Sequence, residues 1–286
     1  WLGIVTNIEA DHLENYGGDF NRLKAAYVQF MNHLAEDGTA IVCIDDENVV
    51  SLMPEVHGKV ITYGIKSETA DYLATDIVLG DRQVSFTMNG YGEVLGHIEL
   101  SVPGQHNLYN AMATVITCLK AEIPFASIAA AIVKFNGAKR RFQVLGEVNE
   151  ILVIDDYAHH PTEIQATISA AKATGKRIIA VFQPQRYTRT FFLLDAFSRA
   201  FAEADEVIIT DIYSPAGEKQ IEGVTSAKLV ELIVQNSNAG ARHLPSKEEV
   251  LADLQDRVAP GDLVITMGAG DIWKVSHALA DYLKTR

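Results

Sequence analysis

Hydrophobic positions in the second half of the chain form short continuous runs that alternate with stretches of helical spacing. The runs that have the length of buried strands are 151–154, 177–182, 206–210 and 263–267. The stretches with apolar residues every three or four positions lie near 162–173, 190–203 (with Phe191, Leu194, Phe197 and Phe201 on one stripe), 224–236, 246–257 and 271–284. This alternation predicts a mainly parallel sheet covered by helices on both faces.

The first half of the chain mixes apolar residues at helical spacing with runs that have the pattern of β-strands. A helical stripe covers 20–34, and 39–44 has the pattern of a short strand. Alternating runs within 73–102, with Asn89-Gly90 between two of them, predict a hairpin-rich and largely antiparallel patch. Two further helices are expected at about 106–121 and 124–135. A turn and a basic cluster follow at 136–141, and we place the boundary between two α/β domains, 1–138 and 139–286, in that segment.

Composition narrows the class of protein. With 286 residues, 48% apolar and 21% charged, the chain suits a soluble globular protein of two domains. A formal net charge of −13 argues against a nucleic-acid partner, and neither a membrane span nor a signal sequence is visible. Cys43 and Cys118 lack disulfide-framework or zinc-ligand spacing, which favours a reducing, cytoplasmic compartment.

Polar motifs follow the strands of the second half, where parallel sheets bind their ligands. Two carboxylates, a phenol and two imidazoles lie within 155–160, and helix capping accounts for only part of that cluster. Arg186 and Arg189 offer bidentate binding of carboxylate or phosphate, or else form a solvated surface pair. Gly268-x-Gly270 lacks the third glycine and following strand of a dinucleotide site, so a plain tight turn is favoured.

The first half carries two weaker motifs and lacks a stronger one. Glu9-Ala10-Asp11-His12 either holds a divalent metal or caps a helix. His106, Asn107 and Asn110 lie on the first turns of a predicted helix, where asparagine could read an adenine edge but simple capping is favoured. No GxxxxGK[ST] phosphate-binding loop occurs. Because the chain opens inside an apolar run at Trp1, we expect that further residues precede it.

Together these segments resemble the Mur ligases of peptidoglycan synthesis, in the family's order and from end to end. The strings that carry the resemblance are Thr6-Asn7-Ile8-Glu9-Ala10-Asp11-His12, Gly104-x-His106-Asn107-x-x-Asn110-Ala111, Arg140-Arg141-Phe142, Asp155-Asp156-Tyr157-Ala158-His159-His160-Pro161-Thr162-Glu163, Phe182-Gln183-Pro184-x-Arg186-Tyr187-Thr188-Arg189-Thr190, Tyr213-x-Pro215-Ala216-Gly217-Glu218 and Gly268-Ala269-Gly270. One departure is Gln185, where members often carry His. The resemblance implies the remainder of a P-loop-type central ATPase domain with a mixed sheet, followed by a Rossmann-like C-terminal domain.

The resemblance also implies roles for individual residues. The expected magnesium ligand is His12, and the expected ATP-binding residues are His106, Asn107, Asn110, Arg141 (near the phosphates) and Asp155 (at the ribose). The residues expected to bound the amino-acid and muramyl pocket, and to act in catalysis, are Tyr157, His159, Arg186 and Arg189.

The implied substrates are ATP, UDP-N-acetylmuramate and L-alanine, with Mg²⁺ as cofactor. The muramyl lactyl carboxylate would accept the γ-phosphoryl group, and the alanine amine would then attack the acyl phosphate. Ligands divided between two domains predict closure on the substrates, which excludes water. Without a P-loop, the 286 residues alone are expected to be inactive. Two alternatives remain open: a recycling ligase that attaches a tripeptide to the same sugar, and a non-catalytic nucleotide-binding module.

Overall fold

The computed structural model describes residues 1–215 and 218–285. The chain divides into two compact units, Trp1–Asn136 and Gly137–Arg286, so the division lies beside the segment in which the sequence places a boundary. Each unit contains a six-stranded mixed sheet with helices, which confirms the expected α/β class.

The first unit is built on a sheet in the order β1-β2-β3-β4-β5-β6. Its strands are β1 (Leu2–Val5), β2 (Thr39–Cys43), β3 (Lys59–Gly64), β4 (Tyr72–Leu79), β5 (Val84–Gly90) and β6 (Glu93–Leu100). The pairs from β1 to β4 are parallel, and β4-β5 and β5-β6 are antiparallel, so the mixed sheet expected of this half is confirmed.

Four helices accompany this sheet. They are α1 (Phe20–Asn32), α2 (Glu47–Leu52), α3 (Gln105–Lys120) and α4 (Phe125–Ile132). Asp19 and Asp46 cap α1 and α2, because each side chain accepts a hydrogen bond from a backbone N–H of the first turn. Helix α3 buries Leu108, Met112 and Val115 in the core on the sheet. Its packing fixes where the polar residues of its first turns lie.

The second unit has a sheet in the order β11-β10-β9-β12-β8-β7. Its strands are β7 (Gln143–Val148), β8 (Ile151–Asp156), β9 (Arg177–Phe182), β10 (Glu206–Ile209), β11 (Arg242–His243) and β12 (Asp262–Met267). All neighbours are parallel except β7 and β8. The expected mainly parallel sheet is therefore present, with an antiparallel strand at one edge.

Helices cover both faces of the second sheet. They are α5 (Pro161–Lys172), α6 (Tyr187–Phe192), α7 (Leu194–Ser198), α8 (Ser226–Asn236), α9 (Lys247–Arg257) and α10 (Trp273–Thr285). Alternate residues of β8 enter two separate cores: Leu152 and Ile154 on one face, Ile151 and Val153 on the other. Burial on both faces explains why the strands have continuous apolar runs.

Several elements differ from the sequence-based expectation. The expected helix near 190–203 is two short helices that meet at Leu193, and Phe191 is 51% exposed although Phe197 and Phe201 are buried. The hairpin turn is Tyr91-Gly92, because Asn89 and Gly90 belong to β5. Strand β8 continues through Asp155 and Asp156, which pair with β12, so the two aspartates end the strand instead of following it.

Among residues 1–215 and 218–285, the helices are too short or too polar for any of them to cross a membrane.

Candidate functional site

The first turns of α3 carry three of the residues expected to bind ATP, namely His106, Asn107 and Asn110. Gly104 precedes the helix at φ 97°, a conformation that favours glycine. The Asn107 side-chain nitrogen donates to the carbonyl of Pro103 at 2.6 Å, and Asn110, one turn later, is exposed. His106 is half-buried. The structure thus places these residues together at one helix end, and their contact with adenine stays a prediction.

The loop after β1 carries the expected magnesium ligand. His12 adopts a left-handed backbone conformation with φ 56°, and its imidazole Nε2 lies 3.5 Å from a carboxylate oxygen of Asp11. The His12 side chain is 56% exposed. Across the described part of the chain, no three His, Cys, Asp or Glu side chains converge as a metal site. Mg²⁺ prefers several oxygen ligands in an octahedron, so the described residues do not form a complete site for it.

Residues 45–48, after β2, connect both of these regions, which the sequence did not indicate. Asp45 accepts hydrogen bonds from the Tyr109 hydroxyl on α3 at 2.8 Å and from the backbone N–H of Ile65 at 2.6 Å. The Asn48 side chain donates to the carbonyl of Ile8, in the loop before His12, at 2.9 Å. The segment therefore fixes the expected adenine helix and the expected metal loop to one strand end.

The carboxyl edge of the second sheet gathers most of the remaining expected residues. Strands β8, β9, β10 and β12 are parallel, so their carboxyl ends lie at one edge. The motifs that end or follow these strands there are 155–160, 183–189, 211–213 and 268–271. Residues 216–217 of the expected Tyr213–Glu218 motif lie outside the described residues.

Asp155 is fully buried at this edge and is paired with a cation. The Nε of Arg140 donates to one carboxylate oxygen at 2.9 Å, and the Thr266 hydroxyl donates to the other at 3.0 Å. Burial raises the pKa of Asp155, although Arg140 and Thr266 oppose that shift. A carboxylate engaged in this way holds neighbouring parts of the protein, and its expected contact with the ribose stays a prediction.

Asp156, the next residue, binds backbone groups. Its carboxylate accepts hydrogen bonds from the N–H of Phe142 at 2.6 Å and of Ala158 at 2.7 Å. Burial raises the pKa of Asp156 to about 6, although both N–H donors favour the charged form. The sequence placed both aspartates in a chemical cluster and, through the family resemblance, Asp155 at the ribose. The partners of each become visible only in the fold.

Tyr157 and His159 come directly after β8, and Glu163, on the first turn of α5, contacts His159. The His159 Nδ1 lies 2.9 Å from the Tyr157 carbonyl, which can only accept, so Nδ1 carries the proton. Glu163 accepts from the His159 backbone N–H at 2.9 Å. Although burial alone would raise the pKa of Glu163, His159, that N–H and Arg141 hold it below its ordinary value. The Arg141 guanidinium lies over the Tyr157 ring, 5.4 Å from its centroid.

Arg186 and Arg189 lie at the start of α6, which follows β9. The Arg189 side chain donates to the Gln185 side-chain oxygen at 3.1 Å and is buried, whereas Arg186 is half-buried. Glu218 accepts hydrogen bonds from the backbone N–H of Tyr187 and Thr188 at 3.1 and 3.2 Å. Gln185, the departure noted in the sequence, therefore orients Arg189 with a side chain that does not titrate.

The Gly268-x-Gly270 turn is built for close packing. A Cβ on Gly268 would lie 2.8 Å from the carbonyl oxygen of Gln183, and one on Gly270 would overlap the Gln183 side chain. Gln183 in turn accepts from the N–H of Asp271 at 2.9 Å. Lys247 donates to Asp271 at 2.8 Å and, against the effect of burial, lowers its pKa to about 2. The glycines are explained by this contact, in agreement with the tight-turn interpretation.

Comparison with known proteins assigns both units. The Mur ligase middle domain matches residues 2–118, and the Mur ligase, glutamate ligase domain matches residues 140–270. A UDP-N-acetylmuramate–L-alanine ligase from Geotalea uraniireducens is 44% identical over 284 residues, which are 99% of this chain and 61% of that relative. The chain thus spans about three-fifths of the curated relatives that it matches.

Solved structures agree with this fold. The crystal structure of a UDP-N-acetylmuramate-alanine ligase from Thermotoga maritima superposes with a TM-score of 0.78 at 25% identity, over 99% of this chain and 60% of that one. The crystal structure of a murein peptide ligase from Psychrobacter arcticus superposes with a TM-score of 0.67 at 21% identity, over 100% of this chain and 58% of that one. The resemblance found in the sequence is confirmed, and the chain belongs to the Mur ligase family, with a middle domain followed by a glutamate ligase domain.

Proposed function

We propose that the protein containing this chain joins L-alanine to the lactyl carboxylate of UDP-N-acetylmuramate at the expense of ATP. The observation that carries the proposal is the carboxyl edge of the second sheet, where Tyr157 and His159 follow β8 and Arg186 directly precedes α6. Arg141, which precedes β7, reaches the same edge beside the Tyr157 ring. The 44% identity to an alanine ligase supports the choice of amino acid. The reaction belongs to peptidoglycan precursor synthesis in the cytoplasm.

The reaction proceeds in two displacements. A lactyl carboxylate oxygen attacks the γ-phosphorus of ATP, and ADP leaves. The alanine amine then attacks the carbonyl carbon of the acyl phosphate, and inorganic phosphate leaves. Because charge develops on phosphoryl oxygens in both steps, guanidinium groups such as Arg141 and Arg186 stabilise the transition states. The magnesium ion implied by the family would add further positive charge.

His159 is suited to accept the proton that the alanine ammonium must lose. Its Nδ1 donates to the Tyr157 carbonyl at 2.9 Å, which fixes the orientation of the imidazole at the proposed site. The Glu163 carboxylate, 3.3 Å from Nδ1, stabilises the imidazolium once it forms. The Tyr157 ring, edge-on to the imidazole with centroids 5.1 Å apart, limits its rotation.

Ligation should be measured with the entire natural gene product and with residues 1–286 alone. We expect the entire product to form UDP-N-acetylmuramoyl-alanine from ATP, and residues 1–286 alone not to, because they contain no GxxxxGK[ST] loop. Ligation by residues 1–286 would refute the need for an upstream phosphate loop. A gene product that binds nucleotide without ligation would instead support a non-catalytic module.

Two comparisons sharpen the assignment. L-Alanine and a ready-made tripeptide should compete in one reaction, and preference for the tripeptide would favour the recycling ligase. Arg186→Ala should lower kcat/KM by about tenfold or more, because a charge-assisted contact to a phosphoryl or carboxylate group is lost. Arg199→Ala is the matched control, since this exposed arginine forms a surface ion pair with Asp195, four residues earlier. Equal effects of the two substitutions would contradict the assigned site.

A further inference from the structure

The side chain of Arg140 binds three acceptors of the second unit. Its guanidinium donates to Asp155 at 2.9 Å, to the Gly268 carbonyl at 2.7 Å and to the Gly270 carbonyl at 3.3 Å. It also lies 5.1 Å from the centroid of the Tyr157 ring. These contacts tie the first residues of the second unit to the ends of β8 and β12. Arg140 is therefore a structural clamp, although the sequence places it beside Arg141 as part of one basic cluster.

The backbone of Arg140 is held as firmly as its side chain. Its carbonyl accepts from the N–H of Tyr157 at 2.7 Å, and its N–H donates to the Gln143 side chain at 2.8 Å. Its φ of 59° is in the left-handed region, which is costly for a residue with a side chain. Such a conformation persists where surrounding contacts determine it, and here the contacts come from three segments: Gln143, residues 155–157 and residues 268–270.

Phe142, two residues later, is fixed in a similar way. Its N–H donates to the buried carboxylate of Asp156 at 2.6 Å, its ring is buried, and its φ is 44°. Residues 140 and 142 are thus both left-handed and both anchored, one to each member of the Asp155-Asp156 pair. This arrangement determines where the residue between them points.

Arg141, between the two anchors, has a side chain that is 51% exposed. It lies beside the Tyr157 ring and 3.4 Å from Glu163, at the edge that carries the proposed site. We propose that Asp155 with Arg140, and Asp156 with Phe142, form a two-point mount that holds Arg141 ready for the polyphosphate of a nucleotide. The proposal rests on the proposed function, in which Arg141 is the residue that touches the phosphates and the mount is positioning machinery.

A mount of this kind acts by preorganisation. A long flexible side chain loses conformational freedom when it binds, and a backbone that is already fixed reduces that loss. A lysine in place of Arg140 keeps the positive charge, but its single ammonium group cannot bind three acceptors as the planar guanidinium group does. Charge and mounting can therefore be separated experimentally in the intact 286-residue chain.

The test is a titration of the chain with inorganic tripolyphosphate. Binding is monitored by calorimetry and by the NMR signals of the arginine side chains. We expect Arg141→Ala to weaken binding about tenfold and Arg140→Lys to weaken it about three- to tenfold. In an Arg141→Ala background, Arg140→Lys should have no further effect, because the mount acts only through Arg141. Arg199→Lys should leave binding unchanged.

Each outcome separates the mount from the proposed function. If Arg141→Ala leaves tripolyphosphate binding unchanged, the phosphate role of Arg141 fails. If Arg140→Lys binds like the unmodified chain, or weakens binding equally in both backgrounds, the mount is overturned because Arg140 acts through charge or not at all. Should Arg140→Lys fail to fold, backbone NMR order parameters of the unmodified chain decide. Flexible residues 140–142 in the absence of ligand would overturn the mount, and rigid ones would support it.

Discussion

Each unit of this chain has an Asp-Asp pair at the carboxyl end of a parallel strand, and the two pairs have similar kinds of hydrogen-bond partner. Asp45-Asp46 follows β2, and Asp155-Asp156 ends β8. In each pair the first aspartate binds a side chain that is distant in sequence, and the second accepts backbone N–H groups. The parallel shows how a strand end can organise two neighbouring segments with one dipeptide.

The pairs differ in burial, and burial decides the kind of partner. Asp45 is half-buried, and a phenol and backbone N–H groups suffice as its partners. Asp155 has no exposed surface and is paired with the guanidinium of Arg140. A carboxylate removed from water needs a cation or several donors, because its charge is otherwise too costly. The same dipeptide at the same kind of position thus accepts from a phenol in one unit and forms a buried ion pair in the other.

The largest expected difference comes from removing the first aspartate of each pair. Asp155→Ala leaves Arg140 and Thr266 without their buried acceptor and should lower the unfolding free energy of the second unit by about 3 kcal/mol. Asp45→Ala should cost the first unit about 1–2 kcal/mol. Hydrogen exchange followed by mass spectrometry measures each unit separately.

A double substitution serves as the control for this prediction. Arg140→Met with Asp155→Leu replaces the ion pair by apolar side chains of similar size and should restore most of the lost stability. If Asp155→Ala costs no more than Asp45→Ala, then burial does not distinguish the two pairs, and the comparison fails.

A smaller effect, dependent on pH, is expected from Asp156. Its pKa is raised by burial to about 6 in the folded chain, against about 4 when unfolded. A raised pKa favours the protonated folded state, so this contribution is complete below about pH 4 and is lost as the pH rises through about 6. The stability advantage of the unmodified chain over Asp156→Asn should therefore shrink over that interval by on the order of 2 kcal/mol.

Urea unfolding of the second unit measures this advantage at each pH. Trp273 lies in that unit, and Trp1→Phe in both proteins removes the other tryptophan signal. Subtracting the two curves of unfolding free energy against pH cancels the contributions of other groups. One such group is Asp271, whose lowered pKa makes stability rise with pH. An advantage that stays constant or grows between pH 4 and 7 would contradict the raised pKa.

The sequence predicted what depends on local pattern. The four central strands and most helices of the second unit were found because burial on both faces leaves continuous apolar runs, whereas the two-residue strand β11 was too short to be recognised. Strand β3, which begins with Lys59, and strand β7, which contains the bulge at Gly146, were missed because neither has a clean apolar run. Gly90 was assigned to a turn, whereas the glycine is needed because a Cβ there would lie 2.8 Å from the Tyr72 ring.

For the candidate site, the sequence offers a set of residues whose roles stay predictions, and it gives no indication of their contacts. Family strings indicated Arg141, Asp155 and His159, but no spacing rule connects Arg140 with Gly268 or Asp45 with Tyr109. Those pairs are 128 and 64 residues apart and meet only because the sheets assemble. The contacts that position the site were therefore what the sequence did not reveal.

The smallest expected effect tests the hydrogen bond between Tyr109 and Asp45 in the first unit. Tyr109→Phe removes the hydroxyl that donates to Asp45, which keeps the N–H donors of Ile65 and Lys66. Burial and the adjacent Asp45 raise the pKa of Tyr109, so at neutral pH the hydroxyl is protonated and donates. Its loss should cost about 1 kcal/mol and increase hydrogen exchange mainly in α3.

Tyr91→Phe is the matched control, because Tyr91 is 65% exposed at the hairpin turn, and it should change exchange in α3 very little. A cost for Tyr109→Phe close to that of Asp155→Ala would mean that the phenol is as essential to its carboxylate as the guanidinium is to Asp155. Since Asp45 is still partly in contact with water, that result would remove burial as the reason for the difference between the pairs. An effect confined to α3 would instead support a tether whose task is to hold the helix that carries Asn107 and Asn110.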